Sequence, residues 1–138
     1  MVLVEAKFNS TDEKYANKSL RCGGSLINSK WVLTAGHCIE DISNDYELFD
    51  VGDLTVFLGK HDVTVDDEDT EVEMKVSKII KHPMKQKIRV PHDAALLKLQ
   101  DKINFKKHPK IRPLCLPQNM LENYAGWEAT ITGWGLIG

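Results

Sequence analysis

The chain has 138 residues, of which 42% are apolar and 28% are charged, proportions typical of one globular domain. Its formal net charge of -2 leaves no basic excess to neutralise phosphates, which argues against nucleic acid as a partner. No apolar run approaches the roughly 20 residues that a membrane-spanning helix needs, so we expect no membrane association.

The first part of the chain predicts three strands. Apolar and polar residues alternate along residues 2–6, which is the pattern of a half-buried strand. A polar loop over residues 9–18 leads to a second strand at residues 20–27. The two glycines inside that strand predict a bend or a close backbone approach. A short buried strand follows at residues 31–34.

Two acidic loops flank the next predicted strand. Residues 39–53 are rich in Asp, Glu, Asn and Ser, and we interpret them as a long acidic surface loop. Residues 54–58 alternate as a strand that ends at Gly59. The acidic cluster at residues 66–69 is most simply a solvated loop tip.

Three further segments predict strands. Residues 72–76 show the clearest two-residue period in the chain, and residues 94–99 predict a strand that is buried on both faces. A last short strand is expected at residues 130–132. Short strands separated by turns, with no convincing helix, indicate an all-β antiparallel barrel or sandwich.

Two glycosylation triplets beside a plausible disulfide favour an extracellular protein. An odd set of Cys22, Cys38 and Cys115 leaves one thiol to find a partner elsewhere. Asn9 and Asn17 each begin a triplet of the N-glycosylation type within one polar loop. Residues 1–7 contain no secretory signal peptide, so we expect that Met1 is not the natural start of a secreted protein.

Five segments, in order and spacing, carry a family resemblance: residues 22–27 (CGGSLI), 31–38 (WVLTAGHC), 92–99 (HDAALLKL), 112–117 (RPLCLP) and 132–135 (TGWG). With them the chain resembles the chymotrypsin-like (trypsin-family) serine proteases over nearly its whole length. The resemblance implies an antiparallel six-stranded Greek-key barrel, the first of the two barrels of that fold. Residues 1–138 would then be a partial protease domain.

The resemblance also implies a role for particular residues. A serine hydroxyl is a poor nucleophile until a neutral imidazole takes its proton, and a carboxylate must orient that imidazole. By resemblance, His37 is the general base and Asp93 is its orienting partner. A Cys22–Cys38 disulfide would pin the His37 segment to the neighbouring strand. The remaining histidines lie in polar or turn segments without metal-ligand spacing: His61, His82, His92 and His108.

The chain departs from the family pattern at a few positions. The family usually has Ala where Gly36 stands and Ile where Ala94 stands, and Ala129 replaces a cysteine found in many members. Lys60 replaces a glutamate that calcium-binding members use, so we expect no metal site. The Lys60 ammonium could instead pair with a loop carboxylate such as Glu71.

Cys115 lies where members that stay tethered to their propeptide keep a cysteine. In those members its partner lies upstream of the activation cleavage site, and here it would lie before Met1. The resemblance therefore implies a disulfide-linked regulatory segment. The alternatives are a free thiol or an artefact of truncation.

Two family motifs are missing, the Ile-Val-Gly-Gly activation segment and the Gly-Asp-Ser-Gly-Gly nucleophile segment. We therefore expect a fragment of a secreted endopeptidase that is inactive alone and whose parent acts on proteins and meets protease inhibitors. A second hypothesis is a non-catalytic homologue that works as a binding or regulatory module. A third is a half-barrel that works by itself, although its exposed apolar face argues against this.

Overall fold

The computed structural model describes residues 1–65, 69–85, 91–118 and 123–135. Most of the predicted acidic loop tip at residues 66–69 lies outside the described residues. The regular secondary structure of the described part is almost entirely β-strand. Its eight strands are β1 Val2–Lys7, β2 Ser19–Leu26, β3 Trp31–Thr34, β4 Glu40–Asp41, β5 Glu47–Leu48, β6 Leu54–Leu58, β7 Val72–Lys81 and β8 Ala95–Leu99. Two short 3₁₀ turns cover Gly36–Ile39 and Val51–Asp53.

Six of these strands close into one antiparallel barrel, in the order β1-β2-β3-β8-β7-β6. Strands β3 and β6 are not neighbours, because the chain crosses from one side of the barrel to the other between them. Two up-and-down runs joined by such a crossover form the Greek-key arrangement, and the predicted fold class is confirmed. The 2-residue strands β4 and β5 form a separate small hairpin.

The barrel closes around side chains from every strand. Val4 on β1 pairs with Cys22 on β2 and with Val56 on β6, so one inward position is shared across three strands. Leu97 and Val56 are fully buried, and together with their neighbours they form one continuous apolar core. Burial of this surface, at about 25 cal/mol per Å², is the main stabilising term of the fold.

Strand β7 is longer than the sequence predicted. It continues to Lys81 because a register shift between Val76 and Lys78 lets its second half keep pairing with β8. Such an irregularity bends a strand and interrupts the alternation that defines a period of two.

The predicted surface loop at residues 39–53 is in part buried, which corrects the sequence interpretation. Ile39 and Phe49 lie in the core, and the backbone N–H of Phe49 donates to the Ile39 carbonyl. The carboxylates of Glu40 and Asp41 are buried as well. Asp41 accepts hydrogen bonds from Ser43, whereas Glu40 is paired with lysines. Glu40 appeared solvated in the sequence because its lysine partners, Lys81 and Lys85, lie elsewhere in the chain.

The predicted last strand at residues 130–132 is wrong. These residues have no strand assignment, and the Ile131 side chain is 97% exposed. A strand forms only when another strand satisfies its backbone N–H and C=O groups. No other described segment of the chain pairs with this one.

Gly59 occupies a position that only glycine can fill. Its φ is +75°, and a Cβ there would lie 2.2 Å from the Thr70 carbonyl oxygen. We expect Gly59→Ala to lower the free energy of unfolding by about 3 kcal/mol or more, because both strain and backbone overlap must be relieved. Gly126→Ala is the matched control, since Gly126 has a φ of +85° but open space around it. Urea unfolding should show a clearly smaller loss for the control, and equal losses would contradict the steric argument.

Candidate active site

The pairing of β3 with β8 brings two distant segments of the chain together. Thr34 pairs with Ala95, so the turn after β3 and the residues before β8 leave the barrel at the same end. His37 lies in that turn, and Asp93 lies two residues before β8. The turn is also covalently attached to β2, because Cys22 and Cys38 form a disulfide, as the resemblance implied.

His37 and Asp93 make two hydrogen bonds to each other. The imidazole Nδ1 lies 2.7 Å from Asp93 Oδ2, and the His37 backbone N–H donates to Asp93 Oδ1 over 2.8 Å. A carboxylate on Nδ1 favours the tautomer that carries its proton there, which leaves Nε2 as the nitrogen that can accept one. The His37 side chain is 63% exposed, whereas that of Asp93 is 22% exposed. The pair therefore presents to the surface an imidazole whose orientation is fixed by the carboxylate.

The surroundings of Asp93 favour the ionised form of its carboxylate. Burial raises the pKa of Asp93, whereas the hydrogen bonds from the His37 side chain and backbone N–H lower it. Coulombic interactions with His37 and with the Lys85 ammonium also lower it, and together these effects outweigh burial, so the net pKa of Asp93 lies below its ordinary value of 3.8.

This lowered pKa makes a prediction about acid stability. A carboxylate whose pKa is lower in the folded state contributes stability that is present above its unfolded pKa and is lost as pH falls through the folded pKa. We expect Asp93→Asn to be less stable than wild type at pH 6, with the difference shrinking below pH 3.8. Urea unfolding across this pH range measures it. A difference that does not change with pH would contradict the assignment.

The other predicted site residues lie apart from this pair. Cys115 is an exposed free thiol. The preceding residue, Leu114, is attached to the end of β2, because its backbone N–H donates to the Leu26 carbonyl. Asn9 and Asn17 are exposed in the loop between β1 and β2. Their accessibility is compatible with glycan attachment.

Among the described residues, the potential ligand atoms of Cys22, His37 and Cys38 lie close enough together to bind one metal ion. The two sulfurs are bonded to each other, so neither is a thiolate that could bind a metal. In the loop after β6, the Lys60 ammonium lies 2.6 Å from the Glu71 carboxylate, with both side chains nearly buried. The pairing suggested from the sequence is thus present.

The sequence analysis missed two buried charges near the site, Glu40 and Lys85. The Lys85 ammonium lies 3.7 Å from Asp93 Oδ1 and 3.2 Å from Glu40 Oε2. Each is separated from Asp93 along the chain, so composition and spacing carried no direct signal. The one available signal was Gly36, a departure from the family pattern that leaves room beside it for the Lys85 side chain.

A closed six-stranded Greek-key barrel with an imidazole–carboxylate pair at its edge defines the class of the chymotrypsin-like serine proteases. The trypsin family model matches residues 5–138, and the chain belongs to this family.

Curated relatives agree with that assignment. The chain is 37% identical over 123 residues to mouse (Mus musculus) vitamin K-dependent protein C, and this aligned region covers 87% of this chain and 24% of that protein. It is 38% identical over 114 residues to trypsin II-P29 of Gallus gallus, covering 83% of the chain and 40% of that trypsin. The serine proteinase stubble of Drosophila melanogaster is 34% identical over 118 residues, and the aligned region covers 85% of this chain and 14% of that protein. The chain thus spans less than half the length of these relatives.

Among the described residues, no helix is both long and apolar enough to cross a membrane.

Proposed function

We propose that this chain supplies the general base and its orienting carboxylate to a secreted serine endopeptidase. The observation that carries the proposal is the double hydrogen bond between His37 and Asp93, with Nε2 left to accept a proton. Family membership supports the same conclusion, because the trypsin and serine proteinase stubble relatives are proteases by name. The natural substrates would be proteins, and protein inhibitors would compete for the same cleft.

The proposed mechanism follows from this geometry. A serine hydroxyl attacks the carbonyl carbon of the scissile peptide while His37 Nε2 takes the hydroxyl proton. Asp93 remains ionised and stabilises the imidazolium through Nδ1. His37 then gives the proton to the leaving amine, and water hydrolyses the acyl-enzyme by the same route. No serine hydroxyl of the described residues is bonded to the imidazole, and we place the nucleophile outside these 138 residues.

The test compares this chain with the longest natural protein that contains it. We expect the longer protein to hydrolyse peptide p-nitroanilides and to react with a fluorophosphonate probe, whereas residues 1–138 do neither. Hydrolysis by the isolated chain that is lost on His37→Ala would overturn the placement of the serine. A longer protein that binds a peptide substrate without cleaving it would support the non-catalytic homologue instead.

Two covalent features belong to the same proposal. Cys115 is exposed and is proposed to join a regulatory segment through a disulfide. Electrophoresis of the natural activated protein should release a smaller chain only after reduction, and a single unchanged band would contradict the tether.

Asn9 and Asn17 are proposed to carry N-glycans, as expected of a secreted protein. Treatment with an amide-cleaving glycosidase should lower the mass of the natural protein.

A further inference from the structure

Behind the candidate base, Lys85 is a buried lysine that faces Asp93. Its side chain is only 4% exposed, and its ammonium lies between Glu40 Oε2 at 3.2 Å and Asp93 Oδ1 at 3.7 Å. Lysine normally keeps its ammonium in water, since burying an unpaired charge is costly. A buried lysine between two carboxylates is therefore a built arrangement rather than a surface side chain that happens to lie nearby.

Glu40 explains why Lys85 stays buried. The Glu40 side chain is 2% exposed, with one carboxylate oxygen 2.6 Å from the Lys81 ammonium and the other 3.2 Å from that of Lys85. Among the described residues, Lys81, Glu40, Lys85 and Asp93 form a series of contacts between opposite charges. Pairing with opposite charge is the condition under which buried charges are tolerated.

Gly36 provides the space for the Lys85 side chain. A Cβ at position 36 would lie 2.9 Å from Lys85 Cε, 3.2 Å from Lys85 Cδ and 2.9 Å from Asp93 Oδ1. The Lys85 stem cannot simply swing away, because its ammonium is tied to Glu40. Asp93 Oδ1 is also restrained, since it accepts the His37 backbone N–H. The glycine and the buried lysine therefore depend on each other.

We propose that Lys85 is a positioning residue for Asp93 and that Gly36 is present because it admits the lysine side chain. The ammonium lies on the Oδ1 side of the carboxylate, whereas the imidazole lies on Oδ2. Lys85 thus holds Oδ1 toward the His37 backbone N–H and leaves Oδ2 aligned with Nδ1. The role assigned to Asp93 rests on the proposed function, but the coupling among the three residues does not.

The charge is tested by titrating the Asp93 carboxyl ¹³C signal in this chain by NMR. We expect Lys85→Met, which keeps the stem but removes the charge, to raise the pKa of Asp93 relative to wild type. Lys81→Met is the matched control, because Lys81 pairs with the same Glu40, whereas the ion pairs of Asp93 within the described part of the chain are with His37 and Lys85. An equal midpoint in Lys85→Met and wild type, or an equal shift in both variants, would overturn the positioning role.

The steric dependence is tested by a double-mutant cycle with Gly36→Ala and Lys85→Ala, followed by urea unfolding. We expect Gly36→Ala to lower the midpoint in wild type and to be tolerated in the Lys85→Ala background, where the stem is gone. A single variant that does not fold but is rescued in the double variant supports the proposal too. Additive losses would overturn it. Neither experiment measures hydrolysis, so a failure here is distinct from a failure of the proposed protease function.

Discussion

If the proposed function holds, replacing His37 by alanine in the longer natural protein that contains this chain should lower kcat/KM by about four to six orders of magnitude. Without the imidazole no group accepts the serine proton, and the Asp93 carboxylate has nothing to orient. The loss should appear in kcat, because the base acts in the transition state and not in substrate binding. Steady-state hydrolysis of a peptide ester measures both constants.

His61→Ala is the matched control for this experiment. The His61 side chain is exposed, and the backbone carbonyl of His61 accepts the Trp134 indole N–H, a hydrogen bond that alanine at this position would keep. Replacing its side chain should leave kcat/KM within about twofold of wild type. A His37→Ala protease that keeps more than about a tenth of its activity would refute the general-base role.

Removing the Cys22–Cys38 disulfide by a double alanine substitution should lower the free energy of unfolding by about 3 kcal/mol. The bond joins residues 16 apart in sequence, and opening a loop of this size restores chain entropy to the unfolded state. The loss should also loosen the 3₁₀ turn that carries His37, because Cys38 attaches this turn to β2. Urea unfolding measures the first effect, and amide hydrogen exchange at His37 measures the second.

Cys115→Ala is the control for the disulfide variant. Cys115 is exposed and free, so its replacement should change stability by no more than about 0.5 kcal/mol. If the double variant lost no more stability than Cys115→Ala, the constraint on the His37 turn would be energetically unimportant. Faster exchange at His37 without a change in global stability would indicate a purely local role.

Local patterns predicted most of the barrel strands because each one alternates against a single core. The periods along residues 2–6, 54–58 and 72–76 became β1, β6 and the first half of β7. The pattern failed where a strand's partner was the deciding factor. Residues 130–132 have strand composition but no partner among the described residues, and β7 continues past its clear period because β8 keeps pairing with it.

The sequence by itself determined the family, the barrel and the two residues proposed as the general base and its orienting carboxylate. Those residues lie in short segments, around His37 and Asp93, whose neighbouring letters carry the signal. Only the tertiary structure decided how the pair is held, since the packing of separate elements brings Lys85 to Asp93 and Glu40 to Lys85. Gly36 shows the difference most clearly. In the sequence it is a small departure from the family pattern, whereas in the fold it is the space that a buried lysine side chain occupies.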